Sequence, residues 1–386
     1  MANKKSLKIV LAFDSFKGTL TAKEACEIVS KAAKEILPDS EIIKMPVSDG
    51  GEGLCHAMAS VLGGETITVD TFDAVGRPIK AQYVILPDGK AVIEMSAASG
   101  LPLVTDLVTD LPLDALSASS FGTGIIIADA LERGCQEIVL GIGGSATTDG
   151  GAGMASFLGI RYLDCNGNDI TCGGDLEKLE LIDTSLISGK LKNCRITVAC
   201  DVKNLLYGEN GSAYIFAPQK GASPNDVIIL DRGLRKLAIV VENQTGLNVQ
   251  SVAGSGAAGG LAVPLLAFTG AQLSGGADIL LDMLGFEESL KGCDLVITGE
   301  GSTDSQSVMG KAVGTVVSRS KAAGVPVIVL SGVLGEGYKE ILTHGASAAF
   351  STLTSLKPLN DVLTNAKTNL NDAAVNIFKL IKLFLK

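Results

Sequence analysis

The run KIVLAF (8–13) reads as a buried strand, ends in the polar loop DSFKGT, and leads straight into the helical pattern TAKEACEIVSKAAKEIL (21–37). Thr21 is placed to cap that helix, with Glu24 three residues on. An apolar run, a polar glycine loop and an amphipathic helix in that order form the repeating unit of α/β folds. The unit recurs. EIIKMPV (41–47) leads through SDGGEG to the helical LCHAMASVL (54–62). Near the other end, DLVITGE (294–300), VPVIVLSG (325–332) and ASAAFS (346–351) read as three more buried strands. A helix is expected in SQSVMGKAVGTVVSRSKAAG, and helical patterns fill YKEILTHG and residues 359–386.

The middle of the chain has another texture. Residues 66–95 alternate and turn at VGRP and PDGK, so antiparallel strands are expected there. A helix (SSFGTGIIIADALERG), the strands EIVLGI and RITVACD, and a helix at 224–244 follow. Two N-terminal strands and three C-terminal ones make a five-stranded parallel sheet of flavodoxin-like type. The expected layout is therefore a discontinuous domain of residues 1–65 and 289–386, with residues 66–288 inserted as a mixed α/β domain and the active site in the cleft between them. Two consecutive domains split near residue 200 is the competing layout.

A length of 386 residues suits about two domains. A net charge of −10 argues against nucleic acid or an anionic membrane as partner. With no Trp and 4% aromatic residues, the chain is poor in stacking platforms. MANKKSLKIVLAF has no signal-peptide pattern. No residue from Val249 to Ala277 is charged, but its glycines and Pro264 point to a buried glycine-rich segment instead of a membrane span. Eight cysteines without a C-x-x-C pair, and two histidines, leave zinc little to bind. Free buried thiols in a cytoplasmic protein are expected.

Five polar loops directly follow expected strands: DSFKGT (14–19), SDGGEG (48–53), GGSATTDGG (143–151), CDVKN (200–204) and GEGSTDSQS (299–307). Ligands bind at the carboxyl ends of parallel strands, so at least three of these loops are expected to face one cleft. Their inventory fits phosphoryl transfer, which needs backbone amides and lysines around phosphates and carboxylates for Mg²⁺ and the attacking hydroxyl. Asp14, Asp49, Asp149, Asp201, Glu300 and Asp304 are the candidate carboxylates, and Lys17, Lys220 and Lys311 the candidate cations. Helix capping by Asp14, Asp49 and Asp304, turn roles for Ser145, Thr147 and Thr148, and solvated lysines are the plainer alternatives. Arg77 is a hairpin residue or a carboxylate clamp, and His56 and His344 are packing or surface residues.

GEGSTDSQSVMGKA is no P-loop, because Ser305 stands at its first glycine and Ala312 where Ser or Thr is needed. GIGGSA matches a dinucleotide fingerprint, with Asp164 suitably downstream, so a nucleotide-dependent oxidoreductase is an alternative reading. A non-catalytic sensor of sugar acids or nucleotides is another.

FDSFKGTLTAKEA, SDGGEG, GIGGSATTDGGAGM, CDVKN, APQKGAS, GSGAAGGLA and GEGSTDSQSVMGK together resemble the bacterial class I glycerate kinases, in order and spacing. The sequence departs from that family's usual residues at Thr148, Leu205 and Ala217. The resemblance implies ATP-dependent phosphorylation of D-glycerate, commonly to 2-phosphoglycerate, and a flavodoxin-like domain with a large insertion. Monomer and homodimer both stay open. In the mechanism it suggests, Lys17 meets the glycerate carboxylate and one of Asp49, Asp201 or Asp304 positions the attacking hydroxyl. The other carboxylates, Asp149 among them, hold Mg²⁺. Asp14, Ser15, Gly143, Gly144, Ser145, Thr147, Lys220, Glu300, Ser302 and Lys311 complete the expected substrate and phosphate contacts.

Overall fold

The computed structural model describes residues 6–16, 18–47, 53–105, 113–308, 311–355 and 358–385. The chain divides into two compact units, one of residues 1–49 and 275–386 and the other of residues 50–274.

The first unit is built on five parallel strands in the order Ala348–Ser351, Val327–Ser331, Leu295–Gly299, Lys8–Phe13, Glu41–Lys44. From Lys8–Phe13 the chain adds one neighbour on each side, so the order reverses between Lys8–Phe13 and Leu295–Gly299. That is the flavodoxin-like arrangement, and the reversal opens a crevice at the carboxyl ends of those two strands. The helix Ala22–Ile36 begins with the expected capping box. Thr21 Oγ1 accepts from the Glu24 amide at 3.2 Å, and Glu24 Oε2 accepts from the Thr21 amide at 3.0 Å. Its apolar face, with Ala25, Val29 and Ile36, packs with Leu370, Ile377 and Phe378 of the helix Ala366–Leu383 over Ile9, Leu11 and Phe13.

The second unit holds a six-stranded sheet ordered Gln272–Ser274, Arg195–Ala199, Glu137–Gly141, Ala91–Glu94, Pro78–Ile85, Glu65–Phe72. Its first four strands are parallel and the last two antiparallel. Ala91–Glu94, expected as a purely antiparallel strand, joins the two regimes by pairing parallel with Glu137–Gly141 on its other edge. A three-stranded antiparallel sheet of Arg161–Asp164, Asp169–Ile170 and Leu179–Asp183 was not anticipated from the sequence. The helix Pro224–Thr245 is capped by a Ser223–Asp226 box and has proline in its first turn, where the missing amide costs nothing.

The units divide elsewhere than the sequence reading placed them, for identifiable reasons. The helix Leu54–Leu62 belongs to the second unit because Glu94 accepts from the amides of Gly53, Leu54 and Cys55 at 2.7, 3.2 and 3.2 Å, capping its start. The helix Gly276–Met283 belongs to the first because Arg319 ties Asp278 and Asp282 to Glu287. The uncharged segment after Val249 forms short helices, turns and the edge strand Gln272–Ser274. Among the described residues no helix is long and apolar enough to cross a membrane. All eight cysteines are free, but only Cys26, Cys135 and Cys194 are buried and Cys165 is exposed, so the thiols are less uniformly interior than expected.

Candidate active site

Each unit carries a cavity at the carboxyl ends of its parallel strands. In the first unit it measures about 430 Å³ and opens at the order reversal. One part of the wall is polar, with Asp14 and Ser15 after Lys8–Phe13, Glu300, Ser302 and Asp304 after Leu295–Gly299, and Lys311 before the helix Ala312–Ala322. Phe16, Val333, Val362, Leu363 and Ala366 supply an apolar part. Asp14 Oδ1 accepts from the Ser15 amide at 2.6 Å. Asp304 Oδ1 accepts from the Gln306 amide at 2.8 Å, starting a short 3₁₀ turn at Ser305–Val308. Thr303 Oγ1 donates to Glu300 Oε1 at 3.2 Å and lies 2.7 Å from Ser331 Oγ. Burial pushes the Glu300 carboxyl above its ordinary range, while Ser307, Thr303 and Lys311 pull it back.

The second unit's cavity, about 280 Å³, lies between the loops that follow Glu137–Gly141 and Arg195–Ala199. Ile142 to Ser145 form one wall, Ala199 to Val202 the next, and Lys220, Ala257 and Ala258 close it. Lys220 donates to Ser145 Oγ at 2.7 Å and to the Thr147 carbonyl at 2.6 Å. Burial pushes its ammonium down to about 7, with Asp149 opposing that shift. The turn carrying Ala258 presses on the glycine loop, where a Cβ on Gly259 would meet the Thr147 oxygen at 2.2 Å and Thr148 Cα at 2.4 Å.

The glycerate kinase family model matches residues 9–382. Glycerate 2-kinase from Escherichia coli K12 is 43% identical over 373 residues, spanning 96% of this chain and 97% of that protein. Glycerate kinase from Bacillus subtilis 168 is 40% identical over 382 residues, 98% of each chain. The chain belongs to the glycerate kinase family. A crystal structure provisionally identified as glycerate kinase 2 from Salmonella typhimurium LT2 superposes with a TM-score of 0.85 at 41% identity, covering 98% of this chain and 99% of that one.

Within this glycerate kinase fold four of the five loops line cavities, two in each unit, and residues 48–52 of the fifth lie outside the described residues. The 14–19 and 299–307 loops share the first unit's cavity, and the 143–151 and 200–204 loops share the second's. Lys17 and Asp49 lie outside the described residues. Gly143, Gly144, Ser145, Asp201 and Lys220 line the smaller cavity together. Thr147 does not, since it is buried with no partner for its hydroxyl and contributes its carbonyl to Lys220 instead. Thr148 is likewise buried and unpartnered at its hydroxyl.

Asp149 departs furthest from expectation. It is 0% exposed, and both its oxygens accept hydrogen bonds from Ser120, Gly151 and Gly153, so it organises the loop from within and is not presented to a metal. Among the described residues, no cluster of three or more His, Cys, Asp or Glu could hold a metal ion by itself. Arg77 pairs with Asp73 at 2.5 Å in its hairpin. The dinucleotide fingerprint has no geometric support. The helix after GIGGSA opens only at Ala152, and Asp164 accepts from Asn166 and Asn168 in the turn of the small sheet. Sequence reasoning missed Thr303 and Ser331, which support Glu300, and Ala258, whose only signal was its place in GSGAAGGLA.

Proposed function

We propose that the chain transfers the γ-phosphoryl group of ATP to D-glycerate, giving 2-phosphoglycerate. The observation that carries this reading is the match to glycerate kinases over both units at 40–43% identity. The relative named glycerate 2-kinase supports the 2-hydroxyl as acceptor. Free thiols throughout fit a reducing cytoplasm.

The first unit's cavity suits the nucleotide. Its apolar wall at Phe16, Val333 and Leu363 gives the base a surface to lie on, and its polar wall suits ribose and phosphates. Lys311, at the start of the helix Ala312–Ala322, adds a cation to a helix N-terminus, which together favour phosphate. The donor set also fits Mg²⁺ arriving with the nucleotide. That ion takes one or two carboxylates plus phosphate oxygens, and here Asp14 and Asp304 would hold it. When bound, it would offset the negative charge of the phosphates. In the second unit's cavity, Asp201 accepts a hydrogen bond from the attacking hydroxyl and orients it. Because the transition state is loose, that orientation matters more than the strength of the base.

The nucleotide assignment is tested by titrating Mg·ATP and D-glycerate separately into Asp304→Asn and Lys311→Met. Each variant is expected to bind Mg·ATP about ten- to a hundredfold more weakly. D-glycerate affinity should stay within about twofold in both. Unchanged Mg·ATP affinity, or a loss confined to D-glycerate, would refute it.

A further inference from the structure

The floor of the second unit's cavity carries a charge whose protein partners are neutral. Lys220 is 2% exposed, and its two acceptors are a hydroxyl and a carbonyl. Neither acceptor carries a charge, and the charged group that favours its ammonium is Asp149. Burying an ammonium without a hydrogen-bonded counter-charge costs several kcal/mol. Three protons sit on that nitrogen, two are taken, and Lys220 borders the cavity. Ser145 Oγ accepts from Lys220, so its own proton is left to donate, and Ser145 borders the same cavity.

The backbone around this pair is held under strain. Ala258, on the cavity wall, is the one non-glycine among the described residues with positive φ, at 51°. Such a conformation costs about 1–2 kcal/mol and persists where the surroundings impose it, commonly at ligand sites. Its turn backs the Thr147 carbonyl that anchors Lys220.

We infer that Lys220 and Ser145 form a two-donor seat for the carboxylate of a small hydroxy acid, whose hydroxyl faces Asp201. The inference rests on the glycerate reading above and gives it a place. One cationic and one neutral donor converge as the two oxygens of a carboxylate require. A fully ionised phosphoryl group offers no donor to Asp201, which lines the same cavity, whereas a hydroxy acid does.

A pH dependence follows. Burial pushes Lys220 down to about 7, and a seated carboxylate raises it again, so binding takes up a proton above that pH and affinity falls as pH rises. The titratable groups around it are buried Asp149, Asp201, and Cys200, whose thiol burial pushes up to about 11.

The test is calorimetry of D-glycerate binding to the full chain, with a non-hydrolysable ATP analogue present, for wild type, Ser145→Ala and Lys220→Met. Expected losses are about tenfold for Ser145→Ala and about a hundredfold for Lys220→Met. Nucleotide affinity, measured alone, should stay within about twofold, and a circular-dichroism spectrum and urea midpoint matching wild type report that the second unit of each variant is folded. Glycerol, which lacks the carboxylate, should not compete. Glycerate affinity unchanged in Ser145→Ala, a loss confined to the nucleotide, or effective competition by glycerol overturns the seat. If wild type phosphorylates D-glycerate while both variants bind it normally, the seat falls and the glycerate reading stands. If wild type binds a different hydroxy acid in a Lys220-dependent way, the seat stands and the glycerate reading falls.

Discussion

Asp149→Ala is expected to remove roughly 3–5 kcal/mol from the stability of the second unit, a large fraction of what a domain holds. The carboxylate is buried at the start of two helices. Oδ2 accepts from the Ser120 amide and hydroxyl, both at 2.7 Å, and from the Gly153 amide at 3.2 Å. Oδ1 accepts from the Gly151 amide at 3.1 Å. Ser120 opens the helix Phe121–Glu132, and Gly151 opens Ala152–Phe157. One anion thereby satisfies amides at both positive helix ends, a favourable place for negative charge. Burial pushes its pKa up, and the bonds from Ser120, Gly153 and Gly151 hold it down. Alanine would orphan all of these donors at once. Urea denaturation followed by circular dichroism measures the loss, and a midpoint unchanged from wild type would contradict it.

Gly299→Ala is expected to cost about 3 kcal/mol or more and to weaken Mg·ATP binding at least about tenfold. A Cβ at Gly299 would lie 1.8 Å from the Leu330 oxygen and 2.6 Å from its carbonyl carbon, both backbone atoms of the neighbouring strand segment. No rotamer relieves a clash with backbone, so the strands must shift. Gly299 pairs with Phe13, and its carbonyl accepts from the Asp14 amide at 2.9 Å. A shift therefore reaches Asp14 on one side and Glu300 on the other, both on the cavity wall. Gly189→Ala serves as control. Its Cβ would meet nothing within 4 Å, and stability should change by no more than about 0.5 kcal/mol. Equal Mg·ATP affinity in Gly299→Ala and wild type would contradict the expectation.

These residues show what a single sequence discloses. Buried parallel strands announce themselves as apolar runs, so KIVLAF and its counterparts near the C-terminus could be counted into a five-stranded sheet. The capping box of Thr21 with Glu24 was legible for the same local reason, being contained in one turn. The small sheet was not, because Asp169–Ile170 is two residues long and presents no period to recognise. The loops were legible as an inventory but not in direction. Whether Asp149 faces a ligand or the protein interior depends on Ser120, distant in sequence. Whether Thr147 offers its hydroxyl or its carbonyl depends on the Gly259 turn and Lys220. Lysine is solvated by default, so a buried Lys220 becomes visible only once the fold closes around it.

The central claim is phosphoryl transfer from ATP to D-glycerate. Its most direct test is ³¹P NMR of the purified chain incubated with Mg·ATP and D-glycerate. The expected result is loss of the γ-phosphate signal, matched by one new phosphomonoester coupled to the proton on C2 of glycerate. ATP consumed without a phosphomonoester, or left intact in the presence of D-glycerate, would contradict it.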